Sequence, residues 1–455
     1  MKKRFNLVSL GCPKNLVDSE VVYGLLEEQG WVGVEDQADA DVLLVNTCGF
    51  IQSAVEESLE EILQLARIKE AAPAVRLVVL GCLVQRYQQQ LQQELPEVDL
   101  FIGTEGIGCV AGLLDRLLAG TLSERVVMPD SFLMDATIPR RLSTPFFRSW
   151  LKITEGCDNH CSYCLIPAIR GNLRSRKILD IIAEARILEK KGVKEVTLVA
   201  QDLTAYGDDL NESRLERLLS ELLSRTTIPW IRLMYLYPSG ITDELLQIVA
   251  DDDRVLPYMD IPVQHASDSV LARMNRHYRY EDVLALLTRV RSRIADISLR
   301  TTIMVGFPGE TEDDIEQLLT FLAQARFDHI GVFRYANEEG CPAERFSGQI
   351  DEAVKRQRAD RVMALQADIS ADLLRRFVGR IEPVLIEGFS RETNLLLEGR
   401  TRFQAADVDG CVLINDGMAS PGEILDVQIT EAQVYDLVGR IVKTEQATGT
   451  PIDPD

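Results

Sequence analysis

Over the first 125 residues, short apolar runs alternate with stretches whose apolar positions recur every three or four residues. The runs at 5–10, 41–47, 76–80 and 98–103 predict strands, and the periodic stretches 16–29, 52–69, 84–94 and 109–118 predict helices. Strand and helix taking turns in this way predict an open, parallel α/β sheet. Residues 126–147 carry Pro129, Pro139 and Pro145 with little periodicity, which suits a linker. The alternation then resumes, with strands expected at 150–154, 195–201, 230–237, 259–263, 298–306 and 329–335. Helices are expected between them at 178–191, 215–224, 243–250, 280–294 and 312–325. Six such units fit an open, incomplete β/α barrel, in which chemistry gathers at the carboxyl ends of the strands. Residues 351–378 read as a long charged helix leading out of it. Short β-branched runs at 384–386, 394–397, 412–414 and 425–429, separated by Gly and Asp, predict a small antiparallel β-barrel. The end, TEQATGTPIDPD, is expected to fray.

Length and composition narrow the class. A chain of 455 residues with 46% hydrophobic and 26% charged positions has room for two or three domains with ample cores. No apolar run approaches the roughly 18 residues needed to span a bilayer. Met1 and three basic residues lead straight into a strand, so a cytoplasmic protein with no membrane association is expected. Nine cysteines in such a chain point to metal or redox chemistry rather than a disulfide framework. The net charge of −22 disfavours a broad nucleic-acid footprint and suits either a basic partner or simple solubility.

The cysteines fall into two sets. Residues 155–171, EGCDNHCSYCLIPAIRG, place Cys157, Cys161 and Cys164 in a C-x3-C-x2-C array directly after a strand. Three soft thiolates suit a four-iron cluster and leave one iron free for another ligand. A structural zinc site, a disulfide and chance burial are the competing readings, but no second cysteine pair follows at zinc spacing. Cys12, Cys48 and Cys82 each lie one or two residues beyond the end of one of the first three strands. In an open parallel sheet those ends line one crevice, so the three can converge as a second cluster site. Any one of them alone would read as a small buried hydrophobe. Cys109, Cys341 and Cys411 share no such register and read as core or incidental residues.

The C-x3-C-x2-C array, with Tyr163 in the aromatic position before the last cysteine, resembles the motif of the radical S-adenosylmethionine (SAM) superfamily. Together with the dispersed cysteines and the terminal β-barrel, the chain resembles the methylthiotransferases of that superfamily over nearly its whole length. VLIEGFSRETNLLLEGRT and GEILDVQITEAQVYDLVGR are similar to the TRAM domain, and SLGCPKNLVDSE at 9–20 looks like the branch acting on ribosomal protein S12. IPVQHASDSVLARMNR and RTTIMVGFPGETEDD match further. The fold class so implied is α/β, with an N-terminal methylthiotransferase α/β domain (1–125), linker (126–147), radical SAM core built as a partial (β/α)6 barrel (148–378), TRAM-like barrel (379–445) and tail (446–455).

The resemblance implies an enzyme with two 4Fe-4S clusters. Cys157, Cys161 and Cys164 would hold the cluster that cleaves SAM to a 5′-deoxyadenosyl radical. Cys12, Cys48 and Cys82 would hold the cluster carrying the sulfur that a second SAM methylates. It also implies an electron donor such as a flavodoxin or ferredoxin, and leaves the sulfur donor unknown. Tyr163, Gln201 and Gly306 are candidates for SAM contacts. A strand-cap role accounts equally for Gln201, and a tight turn for Gly306. Cys341 departs from the family pattern and is expected as a substitution in an exposed loop. Two substrates fit the implied chemistry, an aspartate β-carbon of S12 or an adenosine beside a tRNA anticodon. Residues 380–445 hold six basic and twelve acidic side chains, which favours basic S12 over RNA. A non-catalytic iron–sulfur protein that binds ribosomes is the reading of another class, and it leaves the barrel without a purpose.

Overall fold

The computed structural model describes residues 2–211 and 214–442. The expected frayed end therefore lies outside the described residues. The first sheet holds β1 (Arg4–Ser9), β2 (Val32–Gly33), β3 (Val42–Thr47), β4 (Arg76–Gly81), β5 (Leu100–Ile102) and β6 (Val126–Val127). Its order is β2-β1-β3-β4-β5-β6, with every pair parallel. The segment read as a linker thus begins as a sixth strand, too short to show periodicity. The stretch 84–94 is not one helix. It breaks at Gln88, whose φ of +46° ends Cys82–Tyr87 and starts Gln89–Glu94.

The second sheet holds β7 (Arg148–Lys152), β10 (Glu195–Val199), β11 (Trp230–Leu233), β12 (Val255–Asp260), β13 (Ser298–Val305) and β14 (His329–Arg334). All are parallel and adjacent in that order, as expected of an incomplete barrel. A two-stranded ribbon, β8 (Thr154–Glu155) with β9 (Arg174–Ser175), stands at its mouth. Helix Glu352–Leu374 does not leave the barrel. Lys355, Arg358, Val362, Gln366 and Ile369 recur at helical spacing on its buried face. Lys355 Nζ donates to the Tyr335 carbonyl at 2.7 Å and Gln366 to the Phe327 carbonyl at 2.9 Å, which ties the helix along β14.

The last domain is a closed barrel of β15 (Ile381–Phe389), β16 (Leu397–Thr401), β17 (Val412–Asp416), β18 (Ile424–Ala432) and β19 (Leu437–Ile441), ordered β15-β16-β17-β19-β18. It is antiparallel except that β17 and β19 run parallel, which closes the barrel. This barrel docks on the first residues of β7, β10, β13 and β14. Arg148 binds Asp407 at 2.7 Å, Glu195 binds Arg400 at 2.6 Å, and Ser298 and His329 both reach the Phe403 carbonyl. Val17 and Val21 of the first domain, Trp150, Val199, Trp230 and Tyr258 of the second, and Leu385 and Ala405 of the third share one apolar core. The three domains are therefore one packed body, with the cysteine loop leaving the other end of β7.

Candidate active site: two cysteine triads

The C-x3-C-x2-C loop is shaped by ties at its base. Thr154 pairs with Ser175 and Glu155 with Arg174, so residues 156–173 leave and return at one point. Gly156 sits there at φ +72°, and a Cβ would lie 2.0 Å from the Asn172 carbonyl oxygen, so only glycine fits. Asp158 accepts from the Leu173 amide at 2.9 Å, and Asn159 donates to Asp202 at 2.7 Å. Three N–H donors then face the sulfurs: Asn159 N lies 3.4 Å from Cys157 Sγ, Ile166 N 3.4 Å from Cys164 Sγ, and the Arg276 guanidinium 3.6 Å from Cys161 Sγ. Burial pushes the Cys157 thiol up and the Cys164 thiol up to about 12, and negative charge on Cys161 acts on both. A bound cation reverses that balance, because a coordinating thiol is deprotonated outright.

The dispersed cysteines also come together. Cys12 caps helix Pro13–Glu28, Cys48 follows β3, and Cys82 opens the helix after β4, so all three stand at the carboxyl edge of adjacent strands. Cys48 and Cys82 each feel the charge of Cys12, and Cys82 that of Cys48. Burial pushes the Cys48 thiol up and the Cys82 thiol up to about 12. Gly11, at φ +90°, leaves room for Cys48, whose Cβ would be 2.8 Å from a side chain there. Arg170 donates to Cys82 Sγ through Nε at 3.3 Å and Nη2 at 3.2 Å.

Among the described residues no three His, Cys, Asp or Glu side chains enclose a single metal ion. A cluster makes a different demand, since each thiolate binds its own iron. An all-sulfur donor set with N–H groups aimed at the sulfurs fits such a cluster at both triads.

Charged residues between the triads were missed in the sequence. Asp18 pairs with Lys152 and, at 2.6 Å, with Arg170; Glu155 pairs with the same two cations at 2.8 and 3.3 Å. Arg170 Nη2 also donates to Asn15 Oδ1 at 3.1 Å. All five are buried. Burial alone would raise the Glu155 carboxyl, but Lys152 and Arg170 outweigh it and hold it at about 2. Lys14 lies in the same layer. Burial pushes its ammonium down from its ordinary value, opposed by Cys12 and Glu155. The available signal was Lys152 itself, a charge inside an apolar strand.

Cys341 is a correction. It is 3% exposed, packed with Cys82, Leu165 and Ile169, and its charge bears on Cys164. Its loop is pinned to the first domain by Glu338, which accepts from Gln52 N at 2.6 Å and pairs with Arg86 at 3.0 Å. This apolar patch together with Arg170 forms the wall between the triads. Tyr163 packs beside the loop on Val270, Met274, Phe307 and Tyr335. Gln201 follows β10 by two residues and makes no hydrogen bond among the described residues. Gly306 has φ +77°; its N–H donates to Glu310, and Lys355 Cγ lies 2.3 Å from where a Cβ would stand.

Residues 4–103 match the uncharacterized protein family UPF0004, residues 151–322 the radical SAM superfamily, and residues 378–442 the TRAM domain. The chain is 55% identical to the ribosomal protein uS12 methylthiotransferase RimO of Desulfotalea psychrophila, over 97% of this chain and 100% of that one. It is 49% identical to RimO of Anaeromyxobacter sp., over 97% and 94%. In fold it is similar to the radical SAM methyltransferase TsrM of Kitasatospora setae, with TM-score 0.57 and 15% identity over 73% of this chain and 72% of that one. With full-length relatives at this identity and all three domains matched in order, the chain belongs to the ribosomal protein uS12 methylthiotransferase family of radical SAM transferases.

Proposed function

We propose that this protein places a methylthio group on the β-carbon of an aspartate in ribosomal protein S12, using two 4Fe-4S clusters and SAM both as radical source and as methyl donor. Cys157, Cys161 and Cys164 would hold the first cluster, and Cys12, Cys48 and Cys82 the second. When bound, the first cluster would supply the electron that cleaves SAM and the second would carry the sulfur to be transferred. The observation that carries this reading is that one wall separates the triads, with Arg170 of the first loop donating to Cys82 of the second site. The two triads thus share one boundary, which supports a reading in which a carbon activated at the first site receives sulfur from the second. Tyr163 and Gln201 border the first site and are proposed SAM contacts. The Lys355 stem and positive φ account for Gly306 as a turn residue.

Substrate choice is proposed to rest on the terminal barrel. Asp409 is spent internally on Tyr258 and Arg300, and Glu387 on Arg148 and Arg400. Glu392, Asp416, Glu423, Asp426 and Glu431 remain exposed, beside exposed Phe389, Leu395 and Met418. An acidic surface with apolar tips suits a basic protein better than the phosphates of tRNA. The test is to offer the anaerobically reconstituted protein S12 and a tRNA anticodon stem side by side. The methylthio mass increase is expected on S12 alone; an increase on the RNA would reverse the assignment.

No helix among the described residues is long and apolar enough to cross a membrane.

A further inference from the structure

Three cations and two carboxylates lie in the layer between the triads. Lys152 and Arg170 each pair with both Asp18 and Glu155. Lys14 has no carboxylate within ion-pair distance among the described residues. The residue is 6% exposed; its ammonium donates one hydrogen bond to the Ala200 carbonyl at 3.0 Å and stands 4.5 Å from the centre of the Tyr235 ring. Arg170 and Arg276 donate to cysteine sulfur. Lys14 does not, and reaches instead from the second-triad helix to the end of β10, next to Gln201. Its other N–H groups have no protein acceptor among the described residues. A buried ammonium with N–H donors left unpaired is costly unless an acceptor joins it.

We infer that Lys14 binds the side-chain carboxylate of the substrate aspartate. This rests on the S12 reading above. The reacting carbon has to lie between the radical source at the first triad and the sulfur source at the second. In an aspartate the carboxylate is bonded directly to that β-carbon, so it enters the same space. Lys14 is the cation of that layer without an ion-paired carboxylate among the described residues, and pairing would neutralise both groups as water leaves. An amide or a nucleobase at that point would leave the ammonium unpaired, so the contact also selects the substrate.

The experiment uses the reconstituted holoenzyme with SAM and two forms of S12, carrying aspartate or asparagine at the modified position. The wild type should bind the aspartate form about 30-fold or more tighter, as expected for a buried charge pair. Lys14→Met should bind both forms alike, with the iron content of both sites and SAM cleavage unchanged. Lys14→Gln, which keeps a donor for Ala200 without the charge, should match it. Retention of the aspartate preference in both variants would overturn the inference. So would loss of iron from the second site, which would make Lys14 a counter-charge for the cluster. If the wild type neither binds nor modifies S12, it is the substrate reading that fails, and the lysine assignment falls with it.

Discussion

The two triads solve one problem in opposite ways. Cys157, Cys161 and Cys164 lie on a single loop whose shape is set by the β8–β9 ribbon, Gly156 and the Asp158 and Asn159 side chains, all close in sequence apart from Asp202. Cys12, Cys48 and Cys82 arrive on three loops, placed by the register of β1, β3 and β4. The second site borrows Arg170 from the first loop, whereas Arg276 at the first site comes from the barrel itself. The local triad should therefore tolerate disturbance of the domain interface, and the dispersed triad should not.

The largest effect comes from emptying each site. Replacing Cys157, Cys161 and Cys164 with alanine should leave one cluster and abolish 5′-deoxyadenosine release. Replacing Cys12, Cys48 and Cys82 should also leave one cluster, while SAM cleavage persists and S12 stays unmodified. Two clusters retained in the second variant, by iron and sulfide analysis, would refute the dispersed site.

Next comes Arg170→Met, which strips Cys82 of its donors and leaves Asp18 and Glu155 sharing one cation. Breaking such a buried network should cost about 3–5 kcal/mol in denaturant unfolding. Iron should be lost from the second site first. Arg276→Met should loosen the first site and spare the second, and equal losses at both sites from either variant would void the contrast.

A smaller effect is expected at the interface farthest from both triads. Burial would raise the Glu195 carboxyl, but Arg232 and Arg400 hold it at about 2, against an ordinary 4.5. A depressed carboxyl contributes stability that is present above the ordinary value and is lost as pH falls from about 4.5 toward 2. Glu195→Gln should flatten that part of the acid-unfolding curve and lower stability at neutral pH by about 3 kcal/mol, by leaving Arg232 without a carboxylate among the described residues while Arg400 keeps Glu387. Deleting the terminal barrel is not a clean alternative. It would expose the shared core and take Arg400 from Glu195 and Asp409 from Arg300. Asp409→Lys would break the same interface, so it cannot report surface charge.

The smallest effect is at the surface. Glu392→Lys with Asp426→Lys should slow association with S12 by a few-fold at low salt, with the difference fading as the Debye length drops below about 10 Å. Neither cluster should change, and an unaltered on-rate at low salt would move substrate recognition away from this barrel.

The sequence by itself determined the main parallel strands, most of their helices and the place of both cysteine sets at strand ends, because period and spacing are local and the carboxyl ends of parallel strands converge by topology; it missed β2, β6, β19, the β8–β9 ribbon and the break at Gln88. It also determined the small terminal barrel from β-branched runs between turn residues. What only the tertiary structure decided are the partnerships across domains. Arg170 meets Cys82 and Asp18, 88 and 152 residues away; Glu338 buries Cys341 by binding Gln52 and Arg86; and Glu195 joins Arg400 over 205 residues. Each is a buried charge whose partner lies on another domain. A charge read in isolation looks solvated, so Lys14 carried no message, and Lys152 only its place in an apolar strand, until packing removed the water and showed which of them had a carboxylate partner and which did not.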